Sequence, residues 1–165
     1  LVAVIIWSAC GGIRGIMWHQ FTDRENDIRS GIETFATKRN AADFRKTEWI
    51  ILIIEAIALL YMMYALSITL VYFGFLAYII LMWLRFKILH QKPISFLHNT
   101  PHYQTLLLDF TDLFLPATLL IYASIHQPRA WILLVIQFVL FPSRWIQILK
   151  DCYRILLKRP NRQEA

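Results

Sequence analysis

Long apolar stretches separated by polar or charged residues make up most of the 165-residue chain. A helix that crosses a bilayer needs about 20 apolar residues, each adding about 1.5 Å of length. The stretch from Leu1 to about Trp18 is nearly long enough. The stretches from about Thr105 to Ser124 and from about Ala130 to Leu149 are long enough. The last two contain Pro116 and Pro142, and we expect Pro116 to kink its helix.

The nearly uncharged stretch from Trp49 to Leu84 is too long for one transmembrane helix. As a single helix it would measure about 54 Å, whereas the hydrocarbon core of a bilayer is about 30 Å thick. It therefore predicts two helices, with a turn between Ala65 and Thr69 and with Gly74 as the competing turn position. The whole pattern predicts an all-α transmembrane helix bundle with about five spanning helices.

The composition agrees with a membrane protein, since 58% of the residues are hydrophobic and 17% are charged. Soluble domains carry about 45–50% apolar and about 25% charged residues, and a chain this short has too little interior to bury such an excess. The apolar share also excludes intrinsic disorder. Cys10 and Cys152 are too far apart in the sequence to indicate a disulfide scaffold or a metal knuckle.

The basic residues are placed asymmetrically along the predicted helices. With five spans, every one of the 17 Lys and Arg except Arg129 belongs to one side of the membrane or lies toward it. The positive-inside rule makes that side cytoplasmic, together with an aspartate-rich loop at 19–47 and a tail at 150–165. Because the net charge of +6 flanks apolar stretches, it favours a membrane surface over nucleic acid as the partner.

Two aspartates follow the first apolar stretch in the pattern D-x-x-x-D-x-x-x-G, formed by Asp23, Asp27 and Gly31. If the helix continues, a turn of about 100° per residue places His19, Gln20 and both aspartates within one arc of about 100°. Two carboxylates on one face can share a hard cation such as Mg²⁺, which often takes one or two protein carboxylates and substrate phosphate oxygens. The alternative is a solvated loop in which the spacing arises by chance.

The segment from Trp18 to about Thr37 resembles the second aspartate-rich motif of the UbiA superfamily of intramembrane prenyltransferases. That resemblance implies an all-helical membrane bundle in which two such motifs bind a prenyl diphosphate through Mg²⁺. It further implies transfer of the prenyl group to a hydrophobic acceptor. By position, Asp23 and Asp27 take the catalytic and metal-binding roles, and His19 stands where family members often have a tyrosine.

The sequence departs from the family pattern in three ways. Glu33 replaces the basic residue that the family carries two positions after the motif glycine. The residues then expected to bind substrate beside the aspartates are His19, Gln20, Arg24, Arg29, Lys38 and Arg39. The first aspartate-rich motif does not occur, and four spans instead of three follow the second. We therefore expect the C-terminal half of a bundle, which needs its N-terminal half and is inactive alone.

Four further ionisable residues lie inside the predicted spans. Asp109 and Asp112 share one helix face, and we expect them either to line the mouth of the active site as substrate-binding residues, or to take part in helix packing or pair with basic loops. Glu55 is expected to pair with Arg45 or Lys46, or to face the bundle. Arg14 lies about 140° away from the carboxylate stripe and is expected to have a structural role or to reach the membrane surface.

Aromatic side chains could stabilise an allylic cation through their π faces, although contact with lipid explains most of them equally well. The candidates are Trp18, Phe21, Phe44, Trp49, Tyr61, Tyr64, Tyr72, Phe73, Phe75 and Tyr78.

Two other functions remain open. In a non-catalytic membrane component or transporter fragment, the aspartates at 23, 27, 109 and 112 would line an ion or proton path. Their predicted place at the cytoplasmic end, away from the midplane of the bilayer, favours the prenyltransferase. The replacement by Glu33 also permits a homologue that binds a lipid diphosphate without turnover.

Overall fold

The computed structural model describes residues 1–97 and 102–157. Most of these residues are helical, so the predicted all-α class is confirmed. The α-helices are α1 (Val2–Arg29), α2 (Arg45–Leu66), α3 (Thr69–Ile88), α4 (Leu115–His126), α5 (Trp131–Leu140) and α6 (Pro142–Leu156). Short 3-10 helices at Ala41–Phe44 and Pro128–Ala130 precede α2 and α5, and a π-helix at Phe110–Phe114 precedes α4. Strands β1 (Lys92–Ile94) and β2 (Tyr103–Thr105) pair with each other.

Three helices in the described part of the chain are long and apolar enough to cross a membrane: Val2–Arg29, Ala42–Leu66 and Thr69–Ile88. A fourth results only if Pro128–Leu140 and Pro142–Leu156 count together as one bent span. The predicted fourth span corresponds to Phe110–His126, which is shorter than the others. The described residues therefore provide three or four candidate spans, fewer than the five predicted.

The chain forms two compact units. The first contains Leu1–Leu66 and a segment that begins at Ile94, and the second contains Ser67–Pro93 and a segment that begins at His102. In the first unit, α1 packs along α2.

Helix α1 continues well beyond the predicted apolar stretch and ends after Arg29. The N–H of Ile32 donates to the carbonyl of Asp27 at 2.9 Å, and the N–H of Gly31 donates to the carbonyl of Ile28 at 3.2 Å. With the φ of Gly31 at 68°, these bonds form a Schellman motif, in which a left-handed glycine satisfies the last helical carbonyls. The predicted loop at 19–47 is thus helical at both ends, and the motif glycine ends the helix.

The turn predicted between Ala65 and Thr69 is confirmed. Helix α2 ends at Leu66 and α3 begins at Thr69. Between them, Ser67 has a φ of 53°, so a serine takes the left-handed conformation that usually favours glycine. The competing position, Gly74, lies inside α3.

In the second unit, Pro116 lies in the first turn of α4 and follows the π-helix. Proline has no N–H, so in a continuous helix it would leave the carbonyl of Asp112, four residues earlier, without its usual donor. Here the N–H of Leu115 donates to the carbonyl of Phe110, and the side-chain Nε2 of Gln137 donates to the carbonyl of Asp112 at 3.1 Å. The proline is accommodated by a wider turn and by a side chain from α5.

The predicted fifth span, from about Ala130 to Leu149, breaks in the middle. Phe141 leaves the helical conformation with φ −121° and ψ 50°, because the ring of the following proline disfavours the α region for the residue before it. The helix pair on either side of this break is bent by 78°. Helix α6 starts at Pro142 and extends to Leu156, so the first part of the predicted tail at 150–165 is helical.

Candidate functional site

The two aspartates of the motif lie on the side of α1 that faces away from α2. On the buried side, Arg14 pairs with Glu55 of α2, and at about 100° per residue Asp23 and Asp27 lie about 140–180° around the helix from Arg14. Asp23 is exposed and Asp27 is half-buried. Within the described ranges, neither carboxylate has a hydrogen-bond or ion-pair partner. Their oxygens are therefore accessible to a cation.

His19 and Gln20 share this face, as the helical spacing predicts. The ring of His19 is exposed and packs edge-on against Trp18, with 4.8 Å between the ring centroids. Gln20 Oε1 and Trp18 Nε1 are enclosed, and neither has a hydrogen-bond partner in the part of the chain that is described. Polar atoms without partners thus lie one turn before the first aspartate.

Two of the predicted diphosphate-binding residues lie on α1 beside the aspartates. The Nε of Arg24 donates to the carbonyl of Ala36 at 2.8 Å, which ties the segment after α1 back to the helix. Arg29 is exposed, and its Nη2 lies 4.0 Å from the carboxylate of Glu25. The structure thus gives Arg24 a structural contact and leaves Arg29 at the surface.

The other two, Lys38 and Arg39, lie in the connection between α1 and α2, and both are exposed. Lys38 Nζ lies 2.6 Å from a carboxylate oxygen of Glu33. The residue that departs from the family pattern is therefore the ion-pair partner of one of the predicted phosphate ligands. Exposed pairs of this kind contribute about 0–1 kcal/mol, so an anionic ligand can displace the Glu33 carboxylate at little cost.

An aromatic cluster packs against this end of α1 on the side opposite to the aspartates. Phe21 lies 5.8 Å from Phe44 and 6.4 Å from Phe96, and Phe35 lies 5.2 Å from Phe44, measured between ring centroids. Phe21 lies about 160° around the helix from Asp23. Of the aromatic residues proposed for a cation-stabilising wall, Phe21 and Phe44 are therefore together, but on the side of α1 opposite to the carboxylates.

Of the two alternatives for Glu55, pairing with Arg45 or Lys46 is wrong, and the structure agrees with the other, a side chain that faces the neighbouring helix. Glu55 is buried and forms its ion pair with Arg14, whose Nη2 also donates to the carbonyl of Ser95 at 3.2 Å. Arg45 and Lys46 are exposed. Burial of one charge requires a partner close by, and α1 supplies it at the level of Glu55, so the structural role expected for Arg14 is present.

A second buried carboxylate, Glu48, was not predicted as a site residue. One of its oxygens, Oε1, accepts the N–H groups of Ser95, Phe96 and Leu97 at 3.2, 2.9 and 3.0 Å. These bonds fasten the returning segment to the start of α2. The signal in the sequence was an acidic residue one position before a long apolar run, but its partners lie more than 40 residues away.

The other two predicted site residues, Asp109 and Asp112, belong to the second unit and lie among arginines. Arg85 pairs with Asp109 and also with Asp151 at 3.0 Å. Arg144 Nη1 lies 3.9 Å from Asp109, and its Nη2 lies 3.6 Å from Asp112. These contacts between arginines and aspartates join α3, α6 and the π-helical segment. Of the alternative expectations, helix packing fits this arrangement, because both arginines lie on helices and not in basic loops, and a role at the mouth of the active site stays a prediction.

Arg85, Arg144 and Asp151 were not recognised as partners from the sequence. The available signal was the placement of Asp109 and Asp112 inside an apolar stretch, since buried carboxylates demand cations. The spacing along the chain does not say which of the many basic residues supplies them.

The set of possible metal ligands is small. Among the residues that the structure describes, no group of three or more His, Cys, Asp or Glu could hold a metal ion. A site at Asp23 and Asp27 therefore needs further oxygen ligands, such as water or a bound phosphate. Comparisons of the chain with protein-family models, curated proteins and solved structures found no match.

Proposed function

We propose that the chain is the part of a UbiA-like prenyltransferase that carries the second aspartate-rich motif. The reaction would be Mg²⁺-dependent transfer of a prenyl group from its diphosphate to a hydrophobic acceptor. One observation carries the proposal: α1 continues to Arg29 and holds the carboxylates of Asp23 and Asp27 one turn apart, accessible and without a partner in the described residues. A chance spacing in an irregular loop would not place them on one face.

The residues at this face fit a hard divalent cation. Asp23 and Asp27 supply two carboxylates, and Mg²⁺ commonly binds proteins through one or two carboxylates plus water and substrate phosphate. When bound, the ion neutralises charge that develops on the diphosphate as the bond between carbon and oxygen breaks. The resemblance assigns the remaining ligands to a first aspartate-rich motif, which these 165 residues do not contain.

The protein's own groups would bind and orient the diphosphate. Lys38 and Arg39 lie exposed in the connection after α1, and the contact between Arg24 and the carbonyl of Ala36 holds that connection near the aspartates. His19 lies one turn before Asp23, where its ring can donate a hydrogen bond to a phosphate oxygen. Gln20 lies on the same face, and its side-chain Nε2 can donate a hydrogen bond to a phosphate oxygen.

We further propose that the protein crosses the membrane several times, with the connection between α1 and α2 in the cytoplasm. The three long apolar helices support the crossings. The orientation rests on the basic residues at 24, 29, 38, 39, 45 and 46, which lie at the end of α1, in the connection and at the start of α2, as the positive-inside rule requires. A cytoplasmic face also gives access to a soluble or membrane-bound diphosphate.

The transporter alternative is less well supported by the contacts. It needs carboxylates that can take up and release ions along a path within the bilayer. Glu55, Asp109 and Asp151 are instead paired with Arg14 and Arg85, which are permanent cations.

The decisive experiment measures Mg²⁺-dependent binding of radiolabelled farnesyl and geranyl diphosphate to the full-length protein in lipid nanodiscs. In Asp23→Asn and in Asp27→Asn we expect the Mg²⁺-dependent affinity to fall at least about tenfold, the change that about 1.4 kcal/mol produces. Both side chains lie outside the core, so the variants should fold normally.

Glu25→Gln provides the matched control, because Glu25 is an exposed carboxylate on the same helix and lies about 160–200° around the axis from the two aspartates. Its replacement should leave Mg²⁺-dependent binding unchanged. Undiminished Mg²⁺-dependent binding in the double variant of Asp23 and Asp27 would refute the proposal.

A further inference from the structure

Helix α6 carries an apolar row that its own unit leaves exposed. Ile146, Leu149, Tyr153 and Leu156 are spaced three or four residues apart, and between 49% and 81% of each residue's surface is exposed. This spacing places all four within an arc of about 80° on one side of the helix. Exposed apolar rows of this kind mark a surface that contacts a membrane or another protein.

The opposite side of α6 packs against the rest of the second unit. Ile148 lies in a cluster with Leu81 of α3 and Leu113 of the π-helix, and Trp145, Cys152 and Ile155 pack around it. Asp151, which is 1% exposed, pairs with Arg85. One side of α6 is therefore packed against the second unit, and the other side is exposed.

The contacts of α6 show which part of α3 it meets. Ile148 lies in one cluster with Leu81, and Asp151 pairs with Arg85, so α6 meets α3 near the C-terminal end of α3. The 78° bend at Pro142 turns α6 away from the direction of α5.

The exposed charge that borders the apolar row is positive. Lys150 and Arg154 are exposed. They lie next to the apolar row, at about 40° and about 80° around the helix axis from Ile146. The single carboxylate of α6, Asp151, is buried and pairs with Arg85 at 3.0 Å and with Nη1 of Arg154 at 3.6 Å, so the two arginines together leave an excess of positive charge beside the row. In the sequence, Lys158 and Arg159 follow the helix. An apolar face bordered by basic residues is typical of helices that lie in the membrane interface.

We propose that α6 lies in the plane of the membrane surface, with its apolar row among the acyl chains and with Lys150 and Arg154 bound to the phosphates of anionic phospholipids. Helices α5 and α6 then do not form a spanning helix. Helix α5 enters the apolar layer and the chain turns along the interface at Pro142. This inference rests on the second unit alone and does not depend on the proposed prenyl transfer.

The first test measures the depth of each position on α6. Single cysteines replace Ile146, Leu149, Tyr153 and Leu156 in a full-length background that carries Cys10→Ala and Cys152→Ala, and each carries a nitroxide label. The protein is reconstituted in vesicles of phosphatidylcholine and phosphatidylglycerol. Accessibility to oxygen and to a water-soluble nickel chelate then gives the depth of each label. A label at Gln147 or Lys150 provides the comparison on the polar side.

We expect the four labels on the apolar row to lie at one depth, and the labels at Gln147 and Lys150 to lie nearer water. A steady change of depth from Ile146 to Leu156, amounting to about 15 Å, would show a spanning helix and overturn the proposal. Labels shielded from both reagents would also overturn it, because they would show that a protein surface, such as a second copy of the chain, covers the row.

The second test concerns the lipid headgroup. In the double variant Lys150→Gln, Arg154→Gln, the affinity of the protein for phosphatidylglycerol relative to phosphatidylcholine should fall about fivefold for each lost charge. This factor corresponds to about 1 kcal/mol per basic residue at an anionic surface. The exchange Lys150→Arg with Arg154→Lys keeps the charge and should keep the preference. An unchanged preference in the neutral variant would overturn the headgroup assignment.

Discussion

Gly74 sets the distance between two helices by having no side chain. A Cβ atom at this position would lie 2.5 Å from Cγ2 of Thr118 on α4. The threonine has little freedom to move, since its hydroxyl donates to the carbonyls of Phe114 and Leu115. We therefore expect Gly74→Ala to destabilise the protein by about 1–3 kcal/mol through overpacking, measured as the free energy of unfolding in detergent or as a lower unfolding midpoint.

Two controls separate this effect from a general response to alanine. Gly15 lies in α1, and in the described part of the chain no side chain or neighbouring element comes within 4 Å of the position that an alanine methyl group would occupy there. Gly15→Ala should therefore be neutral or stabilising, because alanine favours the helix. Adding Thr118→Ser to Gly74→Ala removes the clashing methyl group and should restore much of the lost stability. A Gly74→Ala variant as stable as the parent would show that α3 and α4 can separate freely.

At the residue scale, the sequence could predict those features of the candidate site that depend on a single helix. The common face of His19, Asp23 and Asp27 follows from the period of the helix once α1 extends past them. The partner of Glu55 was not predictable in the same way, because Arg14 lies 41 residues earlier and several other basic residues were nearer in the sequence. Local periodicity gives directions on one element, whereas ion pairs depend on tertiary packing.

At the element scale, the strongest prediction concerns the helical turn around Pro116. Its missing N–H leaves the carbonyl of Asp112 to the side chain of Gln137. In Gln137→Leu that partly buried carbonyl loses the side-chain donor, and a polar group that loses its partner in this way costs about 1–3 kcal/mol. We expect a destabilisation of this size, measured by the unfolding midpoint, together with faster hydrogen exchange in the π-helix.

Pro116→Ala tests the cause of that loss. The alanine supplies the N–H that proline lacks, so the carbonyl of Asp112 no longer depends on Gln137. The double variant should therefore lose less stability than the sum of the two single changes. Strict additivity would show that Gln137 acts by packing alone.

The elements themselves were predicted more accurately than their shapes. The turn at Ser67 followed from length, because a single helix of that size exceeds the bilayer. The π-helix and the 78° bend did not follow, although Pro116 and Pro142 marked both places. A proline shows that helical bonding is disturbed, but whether the result is a wide turn or a break depends on what can replace the lost bond, and Gln137 provides that replacement only beside Pro116.

At the scale of the whole chain, the buried acidic groups of the described helices have partners, which are arginines except at Glu48, whose carboxylate accepts backbone N–H groups. In the first unit Arg14 pairs with Glu55, and in the second Arg85 pairs with Asp109 and Asp151. Unpaired charges would be costly in an apolar surrounding. Asp23 and Asp27 differ from these acids because they remain accessible at the end of a helix, and this difference is the reason for assigning function to them.

The asymmetry of basic residues leads to a prediction about the arrangement in the membrane. Single cysteines at Arg39, Ser67 and Leu157, in a background without Cys10 and Cys152, are treated with a membrane-impermeant maleimide. We expect those at Arg39 and Leu157 to react only from the cytoplasmic side and that at Ser67 only from the other side, because basic residues border the apolar helices near Arg39 and Leu157, whereas the sequence has no Lys or Arg between Lys46 and Arg85.

A cysteine at Ser8, in the apolar part of α1, is the control and should stay unlabelled from both sides. The result for Leu157 is the informative one, since it depends on the course of α5 and α6. If α6 lies in the cytoplasmic interface beside the end of α3, Leu157 reacts together with Arg39. Reaction of Leu157 from the side of Ser67 would mean that the bent pair does not return to the cytoplasmic surface, and both the orientation and the interfacial position of α6 would then be wrong.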